Sequence, residues 1–195
     1  MPSQRSPANL VTIVLAVTVL AVTAGCGNAG ASAAAGDSSV DSWSPPPAWV
    51  AVSSNNGSIE VTLPPWLRAF DRTGAIFANE PPPAPGAQIP MELLALGPGT
   101  DDGLRPGEDL LSWVERRLDS PVRGVPTVVR VTLPAGAGIR YDRVDGAATA
   151  APWRIVVYAI QTPRGAAWLQ FDGPVASWPQ RAEDLAHVAL TFQVR

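Results

Sequence analysis

Residues 153–173 read WRIVVYAIQTPRGAAWLQFDG. Two apolar runs flank Pro163-Arg164-Gly165-Ala166, so the stretch reads as a β-hairpin with a proline-glycine turn. The run RIVVYAI at 154–160 is almost continuously apolar. A strand of that kind is covered on both faces, which places it at the centre of a sheet. Trp153 opens the first strand, and Trp168 is expected opposite it on the second.

The neighbouring segments extend the same pattern. TVVRVTLP-AGAG-IRYDRV at 127–144 reads as a second hairpin, with Val129, Val131 and Leu133 sharing one face and the AGAG stretch as its turn. The G-x-G inside that turn lies between strands and opens no helix, which is the wrong context for phosphate binding. Nearer the N-terminus, AWVAVSS-NNG-SIEVTLP gives a hairpin around Asn55-Asn56-Gly57, residues that tolerate positive φ. Ile59, Val61 and Leu63 alternate with polar residues there, so one face is buried. PPWLRAF then breaks the strand, because Pro64 and Pro65 have no N–H to donate. GAIFAN is expected as a short edge strand and MELLALG as another strand, with the extended loop EPPPAPGAQIP between them.

Two segments carry a helical period. RPGEDLLSWVERRLDSP has Pro106, Glu108 and Asp109 at its start, Arg116 and Arg117 at its end, and an apolar stripe of Leu110, Leu111, Val114 and Leu118. SWPQRAEDLAHVALTF is expected as a closing helix, with Ser177 as N-cap and Leu185, Val188 and Phe192 inward. The order is hairpin, strand, helix, four-strand meander, helix. This is an α+β layout, an antiparallel sheet with helices packed against it.

The first residues are of another kind. Arg5 precedes an apolar run of roughly fifteen residues, within signal-peptide length and short for a membrane span. Ala24 and Gly25 then lead into Cys26, the only cysteine in the chain. The stretch TAGC resembles the lipobox of bacterial lipoproteins, with Thr23 where Leu or Val is commoner. That resemblance implies a diacylglyceryl group on the Cys26 thiol and removal of residues 1–25. Two or more acyl chains hold a protein stably on a bilayer. Residues 26–47, rich in Gly, Ala, Ser and Pro, read as a flexible tether with a stiff polyproline end. Residues 48–195 remain as one domain, long enough to bury about 70% of its unfolded surface.

Composition excludes several functions. All fourteen basic residues are arginine, and the net charge is −3 with no basic block, which disfavours a nucleic-acid partner. One cysteine and one histidine, His187, rule out a disulfide framework and the thiolate or His-rich zinc patterns. No cofactor is expected.

The stretches GSIEVTLPPW, VRVTLPAGAGIRYDR, AAWLQFDGP and EDLAHVALTFQV resemble the PsbP-like superfamily, and most closely its LpqN-type bacterial lipoprotein branch. The resemblance spans most of residues 48–195. It implies a central antiparallel sheet between helical layers, an α/β/α sandwich. It also implies an accessory, interaction or ligand-binding role without a shared catalytic motif. The EPPPAPG insertion departs from the simplest members.

Candidate chemistry is sparse. Asp184 lies three residues before His187 on the same helical face, suited to orienting an imidazole, but no G-x-S-x-G elbow supplies a nucleophile. Asp101, Asp102, Glu108 and Asp109 gather oxygen ligands without EF-hand spacing. A solvated loop running into a helix start is the favoured reading. Asp142, Asp145 and Asp172 are candidate paired carboxylates, or equally strand-end residues on a polar face. Trp66, Trp153, Trp168 and Trp178 are candidates for an apolar surface that takes a lipid, glycan or partner peptide, against the simpler role of closing a core.

The expected protein is therefore a lipid-anchored, extracytoplasmic envelope accessory protein. It would bind a partner protein or an apolar ligand without catalysis. A membrane-tethered hydrolase using His187 or surface carboxylates is the first alternative, and a structural subunit of an envelope complex is the second.

Overall fold

The computed structural model describes residues 43–99, 103–119, 127–146 and 151–195. Cys26, the signal segment, nearly all of the tether, and Asp101 and Asp102 lie outside the described residues. Ser42–Arg195 forms one unit, so the last residues of the expected tether, Trp43 among them, belong to the folded part.

The elements in chain order are β1 (Val50–Ser53), β2 (Ile59–Leu63), β3 (Arg68–Asp71), β4 (Ala75–Asn79), β5 (Glu92–Leu96), α1 (Leu110–Leu118), β6 (Val129–Leu133), β7 (Gly136–Asp145), β8 (Trp153–Thr162) and β9 (Gly165–Pro174). A 3₁₀ segment (Val175–Gln180), α2 (Ala182–Thr191) and β10 (Gln193–Val194) follow. Among the described residues they form a seven-stranded antiparallel sheet, β3-β4-β5-β9-β8-β7-β6, and a three-stranded sheet, β1-β2-β10.

The opening hairpin is central, as its composition requires. Val156 to Ile160 are all buried on β8, and its two faces feed two cores. Val156, Tyr158 and Ile160 join Leu93, Leu169 and Phe171 in a core closed by β2, the 3₁₀ segment and α2. Val157 and Ala159 join Ile139, Tyr141 and Trp168 in a second core, closed by Trp113 and Val114 of α1. This split follows from the two-residue period of side chains along a strand.

The α+β class and the antiparallel sheet are present, and the helical cover is sparser than a sandwich between two helical layers. Helices α1 and α2 have nine and ten residues, and the three-stranded sheet shares its face with α2. Several local expectations are corrected. GAIFAN is not an edge. It forms β4, inside the sheet, and the edge is β3, drawn from the very segment read as a break. The AGAG stretch is not a turn. Pro134-Ala135 makes a two-residue turn, and β7 already starts at Gly136, whose φ of +143° favours glycine.

Helix α1 starts later than expected, because Gly107 takes a φ of +77° and turns the chain before it. The Asp109 side chain accepts the Ser112 N–H and caps the helix, so no acid lies in its first turn. The closing helix is also divided. Arg181 breaks it into the 3₁₀ segment, which holds Ser177 and Pro179, and α2, so Ser177 caps nothing.

Candidate functional site

A cleft of about 260 Å³ opens between the sheet and α2. Its floor comes from alternating residues of β8, Arg154, Val156 and Tyr158, beside Arg140 of β7 and Phe171 of β9. Trp178 and Leu185 form the walls. Ala182 and Ala186 of α2, one turn apart on the same helix face, leave the space that larger side chains would fill. Trp178 is held by its indole N–H on the Gly173 carbonyl (3.3 Å) and by the Arg154 guanidinium 4.7 Å above its ring.

The polar rim is an ion triad. Asp142 accepts from Arg140 Nη2 at 2.8 Å and from Arg154 Nε and Nη2 at 2.9 and 2.6 Å. The carboxylate raises the Arg154 pKa further above its ordinary value. Burial pushes the Tyr158 hydroxyl up, with neighbouring Arg140 opposing the shift. Two guanidiniums against one carboxylate leave one excess positive charge at the mouth of an apolar cavity. Apolar walls with a few convergent polar groups are the usual make-up of a small-molecule site.

The four candidate tryptophans do not converge. Trp178 lines the cleft. Trp66 donates its indole N–H to Asp184 Oδ2 at 2.7 Å, beneath Arg181, which is itself paired with Glu80. Trp168 is 1% exposed in the second core, on the opposite sheet face, and is no ligand surface. Trp153 pairs with Pro174, while Trp168 pairs with Ala159, so the two are not opposite one another.

His187 lacks the catalytic setting considered for it. Its ring stacks on Trp43 with centroids 4.1 Å apart and planes 5° from parallel. Asp184, its expected orienting partner, is engaged by Trp66, and His187 does not line the cleft. Glu108 and Asp109, the described acids before α1, are engaged as well. Asp109 caps the helix, and Arg116 grips Glu108 through Nε and Nη2, holding its carboxyl down to about 2. Among the described residues, no three His, Cys, Asp or Glu side chains are placed to hold a metal ion.

The carboxylate candidates separate likewise. Asp142 pairs with the two arginines that line the cleft, and Asp145 pairs with Arg143 at 2.9 Å. Asp172 lies on the opposite face of the sheet, directly across from Glu92 on β5. Burial raises the pKa of both, and the Asp172 charge raises Glu92 further. Hydrogen bonds from Gln170 and Trp153 hold Asp172 down in part. Raised carboxyl pKa values mean that the folded chain holds these protons more tightly than the unfolded one. Their contribution is therefore most favourable below the unfolded pKa and is lost as pH rises through the folded values. Glu92→Gln is expected to stabilise the fold at pH 7 by about 0.5 kcal/mol, the scale of a like-charge cross-strand pair. That gain should disappear by pH 4. Urea unfolding at the two pH values measures it, and equal effects at both would refute the repulsion.

Two other concavities are less equipped. One of about 580 Å³ runs between α1 and the β6–β7 edge, and its acid is the helix cap Asp109. Another, of about 380 Å³, lies between Val52 and Leu63 on one side and Ala69 on the other, with Arg68 and Arg72 at its rim.

Sequence reasoning missed Arg140, Arg154 and Tyr158. The available signal was the pattern IRYDRV, where Arg140 and Asp142 fall on one strand face. The register that brings Arg154 to them is not written in any local pattern.

No family model matches the chain, and no curated protein matches it. Among solved structures, a protein from Bacteroides thetaiotaomicron VPI-5482 is similar, with a TM-score of 0.50 and 14% identity over 74% of this chain and 48% of the other. The chain thus spans about half the length of that protein. The Saccharomyces cerevisiae Ran-binding protein Mog1p has a TM-score of 0.46 and 12% identity, over 75% of this chain and 95% of the other, and a Mog1 point mutant gives the same figures. At these identities, the likeness to the Bacteroides protein is one of fold.

Proposed function

We propose that the protein is a lipid-anchored envelope accessory protein that binds a small apolar ligand, without catalysis, on the extracytoplasmic side of a membrane. The observation that carries the binding role is the cleft, where Trp178, Tyr158, Phe171 and Leu185 surround unfilled space beneath α2. Buried aromatic surface of this kind supplies affinity without a reactive group. The anchor rests on the lipobox-like TAGC at 23–26. The wider layering, α1 on one sheet face and α2 on the other, is compatible with the PsbP-like resemblance of the LpqN type. Cys26→Ala is expected to abolish incorporation of labelled fatty acid into the protein, while Ala186→Trp fills the cleft and leaves that labelling in place. Fatty-acid labelling that survives Cys26→Ala would refute the lipid anchor. Photo-crosslinking from intact membranes, compared between wild type and Ala186→Trp, tests the cleft. Identical crosslinked species in both would remove it as the binding site.

A further inference from the structure

We infer that the cleft takes an amphiphile with an oxyanion head, a carboxylate or a phosphate, on an apolar chain or ring. The inference rests on the proposed binding role and names the chemistry that the site selects. Three observations carry it. First, the charge count at the rim is two to one: Arg140 and Arg154 share Asp142 alone among the carboxylates that touch either in the cleft. Second, both guanidiniums are part-exposed, each about 32% by side chain, while Asp142 is 14% exposed. The shared acid is thus less exposed than the two side chains that grip it, and both of those side chains are open in part to solvent. Guanidinium forks match the geometry of carboxylate and phosphate oxygens. Third, the rim stands directly over Trp178, Tyr158 and Phe171, so a head held by the arginines drops its chain onto aromatic surface. The volume lies just below the about 300 Å³ at which drug-sized pockets begin. It suits a single ring or one end of a longer chain.

Asp142 has a second role in this arrangement. It holds the two arginines together and competes with the ligand for the same donors. Removing its charge should weaken the empty fold slightly and strengthen the hold on an anion. A purely structural triad predicts the reverse for binding.

The test uses the full chain held in lipid nanodiscs, with three eight-carbon probes below their micellar concentrations: octanoate, octyl phosphate and neutral octanamide. Binding is read from the indole N–H resonance of Trp178, assigned by its loss in Trp178→Phe. Both anions are expected to bind at least tenfold more tightly than octanamide. The tighter of the two names the head group. Asp142→Asn should tighten both anions severalfold and leave octanamide unchanged. Ala186→Trp, on an exposed helix position, should abolish all three. Equal affinities for the three probes would overturn the anionic head while leaving an apolar binding cleft in place. Weaker anion binding in Asp142→Asn would also overturn it. No shift with any probe would remove both this inference and the ligand-binding role.

Discussion

Gly138→Ala is expected to lower the unfolding free energy by about 3 kcal/mol or more, the upper range for overpacking a core. Gly138 faces Ile160 across the β7–β8 ladder. A methyl group built on it would lie 2.1 Å from the Ala159 carbonyl oxygen and 2.9 Å from the Ile160 Cα. Both obstacles are backbone of the buried run of β8, so no side chain can swing aside. The substitution must part β7 from β8, and the Arg140–Asp142–Arg154 triad spans that same junction. Urea unfolding measures the loss. The Trp178 indole resonance should move as well, because its guanidinium lid is displaced. A loss below about 1 kcal/mol would show that the two strands yield where the packing says they cannot.

Trp168→Ala is expected to cost about 3–5 kcal/mol, the range for removing a buried tryptophan. Its ring meets Trp113 of α1 edge-on at 5.4 Å, and Arg117 stacks above it at 4.8 Å. Its indole N–H donates to Gln170 Oε1, whose amide in turn donates to Asp172. Deleting the ring removes the edge-on partner of Trp113 and breaks that chain of hydrogen bonds. Octanoate affinity, measured where the variant is still folded, should change by less than twofold, because Trp168 and the cleft occupy opposite faces of one sheet. A stable variant with impaired ligand binding would reverse the assignment and make Trp168 a surface residue.

The parts of this fold that were legible in the chain are those with a local signature. The hairpins at 50–63 and 153–174 carry alternating or continuous apolar runs and turn residues between them. Ile59, Val61 and Leu63 are buried as their period requires. The helix at 110–118 was readable from its stripe, and its start was misplaced because Gly107 decides it by conformation rather than by hydropathy. Strand β3 was hidden because RAFD has four residues and Phe70 points to solvent, 67% exposed, with nothing to mark a buried face. The last segment was read as one helix because Leu185, Val188 and Phe192 dominate its pattern. The two-residue strand β10 is too short to announce itself, and it exists only because β2 offers it an edge. The site was half legible. Trp178 was singled out by its type and Arg140 and Asp142 share one strand face, whereas Arg154 joins them only through cross-strand register, from twelve positions beyond Asp142.

The three-stranded sheet imposes an order on folding. β2 at 59–63 is bridged by β10 at 193–194, and the Thr62 N–H donates to Thr191 Oγ1 across 129 positions. The Arg195 N–H closes onto the Ser58 carbonyl in the same way. During synthesis, Ile59, Val61 and Leu63 therefore remain uncovered until α2 and β10 emerge, long after their own hairpin has been made. Contacts of such sequence separation fold slowly. They also keep apolar surface open to holding chaperones for most of the time the chain is being made. A chain of this design completes its three-stranded sheet only after residues 182–194 have been added.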